Sequence, residues 1–373
     1  MRYIVFLITA IFFFSCRSPN SSEKESTRYG ANLSAIQVEG MTAANLSEID
    51  SLATIQLIPL ETNEKCLVSS ISKILVNENF LYVLDENFNQ VLLFKNNGEF
   101  VRKVGAIGRG PGEYLSVEDM AFNADTTSIF LVSNNSMKIT EYGLDGTLKK
   151  DIFIDMCASK LAVDSLNNFY LFVNKNRSEK SQNYDLIKLR YDGSLVDRYF
   201  VFTDPDDHMI SYAGFVTSGR DRDILFNNSF SDTVYTISEG HVTPKYVFAS
   251  GNEGHFTTNK AFTEDLQQRN YLEIPFFELQ DGFLFLFASD SRVRPIVSNY
   301  TKPDNHRVLP FPINRLVGYD KTDHIYAYVF PVWFNQDKDA PYMRRALEQF
   351  PVFGSVLEHS KFDDNPVIIK FSL

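Results

Sequence analysis

Cys16 is the first residue whose setting predicts covalent chemistry. Ile4 to Phe14 form an apolar run broken only by Thr9, with Arg2 ahead of it and small Ser15 directly before the thiol. That run is too short to cross a hydrocarbon layer roughly 30 Å thick as a helix, so it reads as a secretory signal. A cysteine at its end is where a lipoprotein signal peptidase would cut, although Phe13 and Phe14 replace the Leu and small residue usual there. Residues 1–15 are then a signal peptide. Acyl chains on Cys16 make a membrane the first expected partner.

The glycine-rich run Gly105-Ala106-Ile107-Gly108-Arg109-Gly110-Pro111-Gly112-Glu113-Tyr114 is the next candidate. A phosphate cradle would need Gly-Lys-Ser/Thr opening a helix, and a dinucleotide fingerprint would need a strand before and a helix after. Neither pattern follows, so the run reads as a close backbone crossing that requires glycines. Arg109, Glu113 and Tyr114 could project from it toward a ligand; Arg109 and Glu113 could equally form a surface ion pair. Trp333, the only tryptophan, stands beside Phe330 and Phe334. It is either a stacking platform for a sugar or peptide, or part of the core.

Other chemistries lack their residues. The six histidines show no close spacing of the zinc kind. Asp204-Pro205-Asp206-Asp207-His208 offers oxygen ligands suited to calcium but reads as a solvated loop. Arg220-Asp221-Arg222-Asp223 reads as a charged turn before Ile224-Leu225-Phe226. No Gly-x-Ser-x-Gly elbow is present. Cys66 and Cys157 have no recognisable catalytic partner, and whether they form a disulfide stays open. The sequence names no catalytic set, no metal site and no cofactor.

The elements that must position these residues begin with a spacer. Arg17 to Tyr29 is polar and serine-rich, and cannot bury enough apolar surface to offset its ordering entropy. Residues 16–50 are therefore expected to be a flexible tether and 51–373 the folded body. Hydrophobic residues make up 44%, with 33 Phe and 18 Tyr, enough for a large core. A net charge of −11 excludes nucleic acid, because binding a phosphate backbone needs clustered Lys and Arg. No Asp follows Cys16 directly, which points to the outer membrane of the cell envelope and leaves open which face the body occupies.

The body repeats. Asn97-Gly98, Asp145-Gly146, Asp192-Gly193 and Glu239-Gly240 place glycines 48, 47 and 47 residues apart, each followed two places on by an apolar residue. Such pairs predict type I′ hairpins. In the first unit, Ile71 to Val76, Leu81 to Leu84, Val91 to Phe94 and Phe100 to Val104 read as four short strands, apolar on both faces. Radial four-stranded sheets of this period are propeller blades. The next hairpin candidates, Asp304-Asn305 and Asp364-Asn365, come late, behind segments of helical pattern at Thr258 to Tyr271 and Asp339 to Phe350. Asp339 suits an N-cap, Pro341 a first turn and Gly354 a stop. The expectation is an all-β, six-bladed propeller of four-stranded antiparallel blades, with short helical insertions in blades 5 and 6. Thr54 to Leu60 should pair beside Val367 to Leu373 and close the ring.

The run Gly105 to Tyr114, with Leu81-Tyr82-Val83-Leu84-Asp85, Val91 to Phe94 and Gly98, resembles an NHL-type repeat. Together with the Cys16 region and Ile58-Pro59-Leu60-Glu61, the chain resembles the six-bladed propeller lipoproteins of Bacteroidetes. That resemblance implies an envelope-anchored binding or scaffold module for a glycan, peptide or protein. The alternative it implies is a propeller hydrolase or lyase with a metal in the central channel; that needs several inward-facing polar residues, of which Asp119 and Asp164 are examples, but the sequence picks out no set of them.

Overall fold

The computed structural model describes residues 34–37, 46–49, 52–202, 213–228, 231, 233–249, 271–289, 292–300, 302–309, 315–337 and 339–373. Six sheets are built on the same plan: blade 1 is Lys73–Val76, Phe80–Asp85, Gln90–Lys95 and Phe100–Val104, paired in that order from the inside out. The innermost strands of blades 2 to 6 are Asp119–Phe122, Lys160–Val163, Ala213–Thr217, Tyr271–Glu278 and Leu316–Tyr319. Neighbouring inner strands touch all the way round, the sixth against the first, so the sheets form a closed six-bladed propeller.

Strand alternation explains the core. In Phe80–Asp85, Leu81 and Val83 pack toward blade 6, whereas Tyr82 and Leu84 pack toward blade 2. Because successive side chains leave opposite faces of a strand, each blade feeds two seams. The buried apolar residues accordingly fall into six clusters, one per seam. Strands apolar on both faces are the sequence signature of that arrangement.

The ring closes as expected. β3 (Thr54–Pro59) lies antiparallel to Val367–Ser372 and forms the outer strand of blade 6, with Ile58 opposite Ile368. The N-terminal segment departs from expectation upstream of it. β1 (Ser34–Gln37) pairs in parallel with the outer strand of blade 4, and β2 (Ser47–Glu48) in parallel with that of blade 5. Those two blades are thus five-stranded and mixed, and the expected tether of 16–50 is too long at its C-terminal end. Aliphatic residues resume after residue 30, and Ile36 and Ile49 are 4% and 3% exposed in the blade seams.

Turn chemistry also departs from expectation. Only the glycine has positive φ in the first three hairpins, at 90°, 81° and 84°. Gly98 N donates to Lys95 O at 2.9 Å and Lys95 N to Glu99 O at 2.8 Å, and the same pattern recurs at Gly146 and Gly193. These are three-residue loops, a type I turn closed by a glycine bulge. The Asn97, Asp145 and Asp192 side chains each accept the amide two residues on, which favours that turn. Only Glu239-Gly240, with φ of 49° and 82°, has both central residues positive as type I′ requires. Asp304-Asn305 lies inside the strand Lys302–Val308 and is not a turn.

Helices occur between the second and third strands of blade 6: α1 (Pro331–Asp337), α2 (Pro341–Gln349) and α3 (Val352–Leu357). The expected helix from Asp339 is α2, but its N-cap is Ala340, and Gly354 lies within α3 rather than closing α2. The insertion expected at Thr258 falls outside the described residues, and Tyr271 opens the inner strand of blade 5.

Gly98 shows why the glycines repeat. A methyl there would overlap the Pro59 carbonyl oxygen on β3, whereas at Gly146 it would meet the flexible Arg102 side chain at 3.4 Å. Both alanine variants carry the left-handed backbone penalty of about 1–2 kcal/mol. Thermal unfolding should therefore show Gly98→Ala destabilised well beyond Gly146→Ala. Equal losses would contradict the contact with the closing strand.

The seams also fix a pH response. Tyr114 is 2% exposed, donates to Val104 O at 3.0 Å, and burial pushes its pKa up to about 12. Burial raises Tyr82, Tyr142, Tyr170 and Tyr326 in the same direction. An unfolded tyrosine ionises near pH 10. The raised group contributes its stability fully below about pH 10 and loses it as pH rises toward 12. Part of the tyrosinate absorbance should thus appear only together with unfolding in alkaline titration; the full absorbance change reached on a still-folded protein would contradict the burial of these five rings.

Candidate functional site

Each inner strand has a strand partner on one side only, so its other edge turns N–H and C=O groups toward the ring axis without a strand to pair them. All six inner strands together enclose a cavity of about 790 Å³. Leu75, Phe122, Phe215, Val216, Phe277 and Val317 supply apolar wall, and charged groups gather at the two ends. The upper end is where the chain crosses from one blade to the next. The lower end is where it turns from the first to the second strand of each blade.

At the upper end Asp119 ties three blades together. One carboxylate oxygen accepts Lys73 Nζ of blade 1 at 2.9 Å, and the other accepts the buried Leu161 amide of blade 3 at 2.8 Å. Lys160 Nζ lies 3.6 Å from Glu86 of blade 1. Glu118 next door accepts the Asn134 amide, and burial raises its carboxyl above the usual range. Asp164, the other candidate for the channel, is consumed by its own turn, accepting the Leu166 and Asn168 amides and the Asn168 side chain. Among the described residues, no three His, Cys, Asp or Glu side chains gather in a metal-holding group.

The ligand candidates from the glycine-rich run are dispersed. Arg109 is exposed, whereas the Glu113 carboxylate turns back to accept the Gly110 amide at 2.7 Å. No room is left at Gly108 for a side chain beside that carboxylate. Tyr114 is core, and Tyr142 donates to Gly112 O at 2.6 Å, pinning the crossing from behind. The run is therefore built to pass closely between blades 1 and 2. Trp333 packs against the clusters on both sides of blade 6, and Arg315 covers its ring at 4.0 Å. Cys16 and the Asp204–His208 group lie outside the described residues. Cys66 and Cys157 are free thiols. Burial pushes both pKa values up, which keeps thiolate scarce.

A denser titratable cluster escapes sequence reasoning. Glu278, fully buried at the end of the blade 5 inner strand, accepts Lys245 Nζ at 2.8 Å and the hydroxyls of Tyr246 and Tyr300. Lys245 also reaches Asp221 at 2.6 Å, and Arg220 stacks on Tyr300 at 4.6 Å. The charged turn at Arg220–Asp223 is thus the lower clasp between blades 4 and 5. Its members come from four separate segments, so no local spacing could have revealed it. With no exposed surface, Glu278 acts as a structural staple.

The ring of six seams around an axial cavity makes this a six-bladed propeller with a small-molecule-sized channel. The chain belongs to the family described as domain of unknown function DUF4934, whose model matches residues 33–372, beginning beside β1. Among solved structures it is similar to a protein of Bacteroides fragilis NCTC 9343 described as exported. The identity is 15% and the TM-score 0.73, covering 90% of this chain and 99% of that one. It is also similar to a member of the DUF4221 family from Bacteroides vulgatus ATCC 8482. There the identity is 11% and the TM-score 0.50, covering 86% and 96% of the two chains. At these identities the likeness is one of fold. No curated protein matches the sequence significantly.

Removing the Asp119 carboxylate would strand both the Lys73 ammonium and the Leu161 amide. Asp119→Ala should lower unfolding stability by about 2–4 kcal/mol in urea titration. Asp119→Asn, which keeps one acceptor, should lose less. An Asp119→Ala protein as stable as the parent would show that the three-blade tie is not formed.

Proposed function

We propose that this chain is an exported, envelope-anchored binding module whose ligand occupies the axial cavity. The observation that carries the reading is the cavity itself. Its volume of about 790 Å³ falls within the range of small-molecule sites, roughly 300–1,000 Å³. Its wall mixes apolar side chains with the free edges of six strands. Such edges supply donors and acceptors in alternation, which suits a ligand rich in hydroxyl or amide groups, a glycan or a short peptide.

Export is supported by the apolar run before Cys16 and by the similar Bacteroides fragilis protein described as exported. A lipid on Cys16 would hold the propeller at the outer membrane on the segment ahead of β1. The glycine-rich crossing is accounted for as an NHL-type linker.

Ser72 is half-buried on the cavity wall near its upper end. Oligosaccharides and tripeptides screened by thermal shift should include ligands that raise the melting temperature of the parent. Saturation at a hundred times Kd contributes about 2.7 kcal/mol. Ser72→Trp, which fills part of the channel, should abolish that shift while leaving the unliganded melt unchanged. Ligands that stabilise both proteins equally would place binding elsewhere and refute the cavity reading.

A further inference from the structure

The lower mouth of the cavity is spanned by side chains from alternate blades. Lys321, in the first turn of blade 6, reaches across to donate to Thr126 Oγ1 of blade 2 at 2.7 Å. Arg222, in the first turn of blade 4, donates to the Lys321 carbonyl oxygen at 2.7 Å. Asn167 of blade 3 accepts the Ala124 amide of blade 2, extending the chain of contacts. All three cross-axis residues, Thr126, Arg222 and Lys321, line the cavity.

Two features mark this mouth. First, Lys73, Lys138, Lys160, Lys180 and Lys245 each lie within 4.0 Å of a carboxylate, whereas Lys103 and Lys188 donate to neutral oxygens away from this mouth. Arg222 and Lys321, exposed at the mouth, have no such carboxylate among the described residues; their partners are a carbonyl and a hydroxyl. Second, Thr126 holds φ at 55° and Arg222 at 67°. A β-branched residue in the left-handed region is a backbone outlier, and such strain collects where geometry serves a function.

The acidic groups around the same mouth are largely committed. Asp164 accepts three donors within its turn. Asp320 accepts from Thr322, His324 and Tyr326, and Asp323 from Tyr319 and the Gln280 amide. Asp125 and Glu239 are exposed to water, and half-buried Asp223 has its carboxyl raised by burial. Two cations bound only to neutral oxygens, over a cavity and brought together from blades 4 and 6, form a preset receptor for an oxyanion.

We propose that Arg222 and Lys321 bind the carboxylate of the cavity's ligand, which takes the places now filled by Thr126 Oγ1 and the Lys321 carbonyl. The proposal rests on the cavity reading and adds to it the ligand's charge and its orientation, acid group toward the lower mouth. An acidic sugar and the C-terminus of a short peptide share this chemistry.

Isothermal titration of the full chain with trigalacturonate, trialanine and neutral maltotriose separates these sources. One acidic probe should bind at least about tenfold tighter than maltotriose, with an affinity that falls as salt rises. Arg222→Met and Lys321→Met, both at exposed positions, should each weaken that probe about tenfold without changing maltotriose binding, and Lys321→Arg should retain most of it. Failure of both acidic probes to exceed maltotriose, or variants that bind the acid as the parent does, would overturn the proposal. Ser72→Trp separates the two readings. If it blocks maltotriose while no acid preference exists, the cavity reading survives and the oxyanion site falls. If the acid binds through Arg222 and Lys321 regardless of Ser72→Trp, the oxyanion site survives and the cavity reading falls.

Discussion

A four-stranded sheet that is apolar on both faces cannot bury itself, and that constraint governs this molecule. Leu81 and Val83 need blade 6, and Tyr82 and Leu84 need blade 2. The same demand repeats at every blade until the sixth meets the first. A ring is the arrangement in which no blade is left with a bare face. The closing step depends on β3, brought from the N-terminal end to pair with Val367–Ser372. Pairing of chain ends separated by more than 300 residues makes the seams one cooperative unit, because opening the last blade exposes a face of its neighbour as well.

Function is left to what the seams do not consume. Side chains of the inner strands pack largely sideways into the clusters, so the axis receives backbone edges, the margins of apolar side chains such as Phe215 and Phe277, and the polar residues at the strand ends. Several of those end residues are themselves structural ties: Asp119 joins three blades above, and Glu278 with Lys245 joins blades 4 and 5 below. What stays available is the cavity wall and the pair of cations across its lower mouth. The apolar residues that dominate the composition serve architecture, and a few turn residues carry whatever specificity the channel has.

The architecture was legible in the sequence because each blade repeats one requirement at one spacing. Gly98, Gly146 and Gly193 recur where an outer hairpin presses on the preceding blade, and a side chain at Gly98 or Gly193 would strike backbone. The turn type is not legible, because an Asn-Gly or Asp-Gly pair fits both a two-residue I′ loop and a three-residue loop ending in a glycine bulge. Hydrogen bonds to the flanking residues, absent from sequence, decide between them. Asp304-Asn305 has the composition of a turn, yet it lies within the strand Lys302–Val308, which pairs with its neighbour at Lys302, Arg307 and Val308 on either side of the pair. The polar character of the tether ends near residue 30: Ile36 in β1 and Ile49 just after β2 are aliphatic side chains buried in the seams. The site was hardly legible. Arg222, Lys321 and Thr126 sit roughly 100 and 195 residues apart, and only the closed ring brings them to one mouth.

The pairing of β3 with the last strand can be tested by cross-linking. Gln56 and Lys370 oppose each other in the antiparallel register. Opposed residues in such a pair have Cα atoms about 4.5–5.5 Å apart, within the span a disulfide bridges. In a Gln56→Cys/Lys370→Cys protein with Cys66 and Cys157 replaced by alanine, mild oxidation should form the bond. Closing a loop of that length should raise the melting temperature of the whole propeller in a single transition. Absence of the cross-link, or a cross-linked protein in which the blades melt separately at the parent's temperature, would contradict a ring held shut by its two ends.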